Sequence, residues 1–186
     1  MLNFRRILED NPIVAAVKDE EQLKEVLKTE VSVIFVLFGN ILNIGHISES
    51  IDKSGKVGII HIDLVEGLTN KEVSLRYLKE NTEFKGIIST KPQSIKAAKK
   101  LGFYAIQRFF IIDSMSLKST KLHLVEECDA IEILPGLLFK VIKDLSTEIK
   151  KPLIVGGLIS DKEDVIEALN AGATCISTTK EKIWEM

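Results

Sequence analysis

The chain has 186 residues, of which 45% are hydrophobic and 28% charged, and its formal net charge is −2. That length points to one domain with a substantial core, and the composition is that of an ordinary soluble globular protein. The near-neutral balance argues against a general electrostatic grip on nucleic acid, and no apolar run reaches the roughly 20 residues that span a bilayer.

The N-terminus, Met1-Leu2-Asn3-Phe4-Arg5-Arg6, leads into no continuous apolar stretch, so no signal peptide is expected and a cytoplasmic protein is. Beyond it, short β-branched apolar runs alternate with longer amphipathic ones to the end of the chain. Strands are expected at 13–17, 31–38, 57–63, 86–89, 104–109, 130–134, 153–155 and 175–177. A helix follows each, at 19–29, 46–54, 70–80, 92–101, 114–127, 136–149 and 161–171, with a stub from about 180. Continuously apolar strands such as Val57-Gly58-Ile59-Ile60 suit a parallel sheet covered by helices.

The punctuation agrees with this alternation. Asp19 with Gln22, and Ser160 with Glu163, have capping-box spacing at helix starts. Gly55, Gly102 and Gly172 fall where helices should end. Pro92 and Pro135 sit where a first helical turn tolerates proline, while Pro12 and Pro152 precede strands. An open flavodoxin-like sheet needs only about five strands, so eight βα repeats favour closure. The expected fold is a single domain, 1–186: a compact (β/α)8 TIM-type barrel with a truncated last helix. The residues before Pro12 are expected to plug its bottom, and a partner subunit, as in a homodimer, to cover the side left thin by the stub.

In such a barrel, functional groups come from the C-terminal strand ends, and phosphate often binds at the loops after strands 7 and 8. Those loops contain Gly156 and Gly157, then Ser177, Thr178 and Thr179. Paired glycines admit close backbone approach to phosphate, and N–H groups opening a helix supply donors and a favourable dipole. The alternative is that Gly156-Gly157 is only a turn and that Thr178 with Glu181 is only a capping box.

Asp63 closes one apolar strand and Glu132 interrupts another, and a carboxylate there needs a partner. Lys18 ends the first strand and Arg108 the fifth. Alternation turns Glu132 toward the barrel mouth and lets only one of Gln107 and Arg108 point inward, which is taken to be Arg108. These four are expected either to contact ligand hydroxyls and an anion, or to close on themselves as Arg108–Glu132 and Lys18–Asp63 ion pairs. His61 shares the parity of Asp63 and is expected to be a hydrogen-bonded interior residue.

No strand-interior lysine suits a Schiff base, no Glu/His pair suits an isomerase, and the carboxylates do not cluster as a metal site requires. No catalytic residue, metal or cofactor is therefore assigned. Cys128 and Cys175 are expected to be buried thiols, and the scattered His46, His61 and His123 do not suggest zinc.

The same segments resemble the glycerol-3-phosphate-responsive antiterminators of bacterial glycerol uptake operons. The resemblance runs through His61-Ile62-Asp63-Leu64-Val65-Glu66-Gly67, Gly86-Ile87-Ile88-Ser89-Thr90-Lys91 and Ala105-Ile106-Gln107-Arg108-Phe109-Phe110. It continues through Ile131-Glu132-Ile133-Leu134-Pro135-Gly136, Pro152–Ile159 and Ser177-Thr178-Thr179 to Trp184. Thr179 replaces the family's usual serine, and Phe139 stands where proline is common. The resemblance implies a non-catalytic regulator that binds glycerol 3-phosphate and acts on a leader mRNA, letting transcription pass a terminator upstream of glycerol-utilisation genes. It implies no RNA-binding surface that the sequence locates, since no Arg-rich arm or stacking platform is evident. The other reading, carried by the fold and the phosphate loops alone, is a small triose- or sugar-phosphate enzyme.

Overall fold

The computed structural model describes residues 4–186, so Met1, Leu2 and Asn3 lie outside it. Eight strands run in chain order: β1 (Ile13–Val17), β2 (Val33–Val36), β3 (Val57–His61), β4 (Gly86–Ser89), β5 (Tyr104–Phe110), β6 (Ala130–Leu134), β7 (Leu153–Gly156) and β8 (Cys175–Thr178). Each pairs in parallel with the next, and β8 pairs with β1, giving a closed TIM-like barrel. The helices on its outside are α2 (Glu20–Val26), α3 (Ile44–Lys53), α4 (Glu72–Asn81), α5 (Pro92–Lys100), α6 (Ser114–His123), α7 (Phe139–Glu148), α8 (Lys162–Asn170) and α9 (Glu181–Trp184).

Residue parity sorts the core into two layers. Outward-facing residues such as Ile34, Ile60, Ile87, Ile131 and Val155 pack under the helices, while Val14, Phe35, Ile59, Ile106 and Ile154 fill the barrel. A short helix, α1 (Phe4–Glu9), closes the bottom. It buries Phe4 and Leu8 in the inner layer, and Phe4 stacks on Tyr104 with ring centroids 4.4 Å apart. The sequence pointed to a plug there, though not to a helix, because six residues are too few to show a period.

The thin side is covered in part from within the chain. α9 is only four residues long, but Ile183 and Trp184 are buried, and Trp184 donates from Nε1 to the Thr178 carbonyl at 2.9 Å. The indole covers the inner edge of that side, and beside it a cavity of about 500 Å³ lies between α2 and α9, lined by Glu25, Lys28, Thr29, Glu181 and Trp184.

Several local expectations shift. Strand 57–63 ends at His61, and Ile62–Leu64 form a 3-10 turn that re-aims Asp63. The cap of α8 is one residue later than expected: Asp161, not Ser160, accepts from Asp164 N, while Ser160 donates to the Asp164 carboxylate. Two adjacent capping patterns overlap in Ser160-Asp161-Lys162-Glu163-Asp164, and Asp161, as good a cap as serine, takes the position. Pro135 does not open α7. It follows a cis Leu134–Pro135 bond in a loop, and α7 begins at Phe139. Gly55, Gly102 and Gly172 do end helices at positive φ.

Candidate functional site

The mouth of the barrel holds a cavity of about 450 Å³, within the range of small-molecule sites. It opens at the ends of β5, β6, β7 and β8 and reaches Ala16 of β1 and Leu37 beyond β2, and its polar walls include Arg108, Glu132, Ser177, Thr178, Thr179 and Lys180, with Gly157 beside them. Parity and register bring these groups together. Arg108 pairs with Glu132 across β5–β6, and Gly156 with Ser177 across β7–β8, all four on the inner face.

Glu132 is the centre of the polar network. Its Oε2 accepts from Arg108 Nε at 2.6 Å and its Oε1 accepts from Ser177 Oγ at 2.7 Å. Both members of the ion pair are buried, with side chains 8% and 1% exposed, so each compensates a charge the other could not leave unpaired. The pair is not self-contained, however. Arg108 uses only Nε, and its two Nη groups have no partner among the described residues although they are not sealed from solvent. Two charge-bearing donors therefore remain directed to the open side of the site.

Gly156 makes that geometry feasible. A Cβ there would lie 2.2 Å from Ser177 Oγ, so a side chain would displace the hydroxyl from Glu132. Gly157 follows at φ +74, a conformation that favours glycine, and Leu158 continues at φ +65 with its side chain 71% exposed. Successive left-handed residues point their amides outward. The N–H groups of Gly157, Leu158 and Thr179 have no hydrogen-bond partner among the described residues. Such a set of backbone donors is the kind of group that anion-binding concavities use.

The hydroxyls divide. Ser177 is committed to Glu132, and Thr178 donates to the Ile159 carbonyl at 3.1 Å while accepting from Lys180 N. Thr178 thus braces the loop after β7 against that after β8, and no capping box with Glu181 forms. Thr179 Oγ1 has no partner among the described residues. Lys180, which the sequence reading passed over, lines the cavity and forms no ion pair among the described residues. Its position two residues beyond β8, at the N-terminus of α9, was the available signal.

Lys18 and Asp63 are placed differently. Lys18 is exposed at the end of β1 and, with Asp63, lies outside the walls of this cavity. No Lys18–Asp63 ion pair forms. Asp63 instead accepts from Ser89 Oγ, Thr90 N and Thr90 Oγ1 at 2.8–2.9 Å, fixing the loop after β4. The 3-10 turn that contains it carries its carboxylate sideways to β4, which strand alternation alone does not reveal. Gln107, facing outward, donates to the His123 carbonyl and accepts from Val125 N, bracing the connection between α6 and β6.

His61 is inside the barrel and only 3% exposed, yet its Nδ1 has no hydrogen-bond partner. The sequence suggested a hydrogen-bonded residue. Burial, reinforced by the nearby Arg108 guanidinium and opposed by Asp63 and Glu132, lowers its pKa to about 4, so the ring is neutral near pH 7. Cys128 and Cys175 are buried free thiols, and burial pushes Cys128 up to about 11. Among the described residues, no group of three or more His, Cys, Asp or Glu side chains is arranged to hold a metal ion. No helix among them is long and apolar enough to cross a membrane.

Comparison with known proteins agrees with this architecture. The chain is 44% identical over 181 residues to YgcP of Escherichia coli, an uncharacterized protein, covering 97% of this chain and 95% of that one. The crystal structure of a glycerol uptake operon antiterminator regulatory protein from Listeria monocytogenes superposes with a TM-score of 0.89 at 28% identity, over 93% of this chain and 94% of that one. A glycerol uptake operon antiterminator-related protein from Thermotoga maritima gives a TM-score of 0.84 at 29% identity, over 95% and 99%. Residues 13–184, from the first strand to the tryptophan that closes the barrel, match one family throughout, and the chain belongs to the glycerol-3-phosphate responsive antiterminators.

Proposed function

We propose that this chain senses glycerol 3-phosphate in the cavity at the ends of β5–β8 and, when loaded, binds a leader mRNA so that transcription passes a terminator. The observation that carries the reading is the pairing of two kinds of donor in one cavity. Free amides at Gly157, Leu158 and Thr179, the Thr179 hydroxyl and Lys180 suit a phosphate. The Glu132–Arg108–Ser177 network, with lone pairs on the carboxylate and open Nη groups, suits the hydroxyl-bearing end. Gly156 holds the two halves close. Lys18 contributes positive potential from the rim, and Asp63 acts by ordering the loop beside the ligand.

The protein works without turnover in this reading. The buried carboxylate is held by a guanidinium and a hydroxyl, and the nearby imidazole is nearly sealed from solvent. Neither is presented as a base. A leader-mRNA target places the protein in the cytoplasm, where transcripts are made.

A bound phosphate adds negative charge, which opposes a polyanion, so the ligand must promote RNA binding through conformation. The coupling is then reciprocal: saturating leader transcript tightens glycerol 3-phosphate binding by the same factor as the ligand tightens RNA binding. Titrations of each against the other at fixed salt measure both factors. Consumption of glycerol 3-phosphate on prolonged incubation, or leader affinity indifferent to it, would sink the proposal.

A further inference from the structure

The whole chain is slightly acidic, but its charge is unevenly distributed. From Lys85 to Val125 there are eight basic side chains and one acid, Asp113. This segment is one continuous sector of the wall, comprising β4, α5, β5 and α6. α5 carries Lys96, Lys99 and Lys100 with no acidic residue, whereas α2, α4 and α8 all carry acids in their first turns. Lys99 is paired with Asp129, and Lys121 with Glu148. Lys91, Lys96, Lys100 and Lys118 are exposed and form no ion pair among the described residues.

Next to Lys118 the same sector is apolar and exposed. Met115 and Leu122 project from the same face of α6 as Lys118, Ile112 before that helix is 84% exposed, and Phe110, which ends β5 on the same face as Arg108, is 55% exposed at the rim of the barrel mouth. Only Thr120 of α6 is buried. Unpaired ammonium groups beside exposed apolar and aromatic side chains match the demands of single-stranded RNA: cations for phosphates, an aromatic face for bases.

We infer that the α5–β5–α6 sector is the RNA-binding surface, with Lys91, Lys96, Lys100 and Lys118 contacting phosphates and Phe110 stacking a base. The inference rests on the functional reading above and adds to it the place and chemistry of the contact. It also connects the two sites. Lys91 N donates to Ser89 Oγ, which donates to Asp63, so the start of α5 is tied to the barrel mouth. β5 carries both Arg108, in the cavity, and Phe110, on the surface, so a ligand that engages Arg108 orders the strand that presents Phe110.

The test compares two fourfold variants of the full chain with equal charge change. One is Lys91→Gln/Lys96→Gln/Lys100→Gln/Lys118→Gln. The other replaces Lys24, Lys140, Lys143 and Lys162, exposed lysines of other sectors, by Gln. The probes are a labelled 30-nucleotide oligouridylate and a glycerol-operon leader transcript, each titrated at several salt concentrations with glycerol 3-phosphate present. The first variant is expected to lose at least tenfold in affinity for both RNAs. Its log–log salt slope should fall by about 3, at roughly 0.7–0.9 per phosphate contact, while the second variant stays near wild type. Equal losses in both variants, or an unchanged slope in the first, overturn the surface. If leader binding survives the first set of substitutions, the surface falls while the sensing role stands. If oligouridylate binding needs those lysines but the leader is not preferred over a scrambled transcript, the role falls while the surface stands. Absence of any RNA binding by the wild type removes both.

Discussion

Arg108 and Glu132 form a buried ion pair that also lines the cavity. Removing one partner leaves a buried charge uncompensated, so Glu132→Ala is expected to destabilise the fold by about 3–5 kcal/mol. Replacing both, Arg108→Met with Glu132→Leu, should recover most of that loss, because apolar side chains of similar volume need no compensation. Chemical denaturation of the single and double variants measures this. The double variant should nonetheless show no thermal response to glycerol 3-phosphate, since the open Nη donors and the carboxylate are both gone. A response equal to wild type would confine the pair to a structural role.

His61 provides a residue-scale prediction in pH. Its pKa is near 4 in the folded chain, against about 6.5 when unfolded, so the unfolded state binds the additional proton between those values. Stability from this group is fully present above about pH 6.5 and is lost as pH falls toward 4, by up to roughly 3 kcal/mol. The acid side of a stability–pH curve should therefore flatten in His61→Gln. If the curves of the two proteins run parallel over that window, the buried neutral imidazole is not the cause.

At the scale of elements, the loop after β4 depends on Asp63. One carboxylate accepts from two hydroxyls and an amide on Ser89 and Thr90, and Ser89 in turn receives the amide of Lys91 at the start of α5. Asp63→Ala removes the common acceptor. Hydrogen exchange at Thr90 and Lys91 is expected to accelerate at least tenfold, with the amides of β7 and β8 unchanged. Uniform acceleration across the barrel would mean that Asp63 supports the global fold, not this loop. The same element explains why the sequence pattern misleads here. The apolar alternation of Ile59-Ile60-His61-Ile62-Asp63 continues unbroken into the 3-10 turn, so nothing in the pattern marks where the strand stops.

At the scale of the whole molecule, the cavity spans the β8–β1 seam that closes the barrel, with walls from β5 to β8 and from Ala16 of β1. A ligand there restrains the loops after β7 and β8, which Thr178 already connects. Glycerol 3-phosphate at about 100 times its dissociation constant should stabilise the fold by roughly 2.7 kcal/mol. For a chain of this size that is a rise of about 5–10 °C in the thermal midpoint. Glycerol at the same concentration should produce no comparable shift. Identical midpoints with the two additives would remove the phosphate from the site.

The sequence by itself determined the eight strands, their parallel order and the inward parity of Arg108 and Glu132. These follow from apolar runs, glycine stops and side-chain alternation, all of which act within a few residues. It also marked Gly156-Gly157 and Ser177-Thr178-Thr179 as candidate phosphate loops, because the order of the strands gives them their place. Tertiary structure decided what each group does once there. Ser177 and Thr178 turned out to hold Glu132 and the Ile159 carbonyl, while the amides of Gly157, Leu158 and Thr179 and the side chains of Thr179 and Lys180 have no partner among the described residues. Asp63 left the cavity for the loop after β4, and Trp184 covered part of the side that a short helix had exposed. Hydrogen-bond partners 19 or 45 residues apart are selected by distance in space, and local pattern carries no record of that choice.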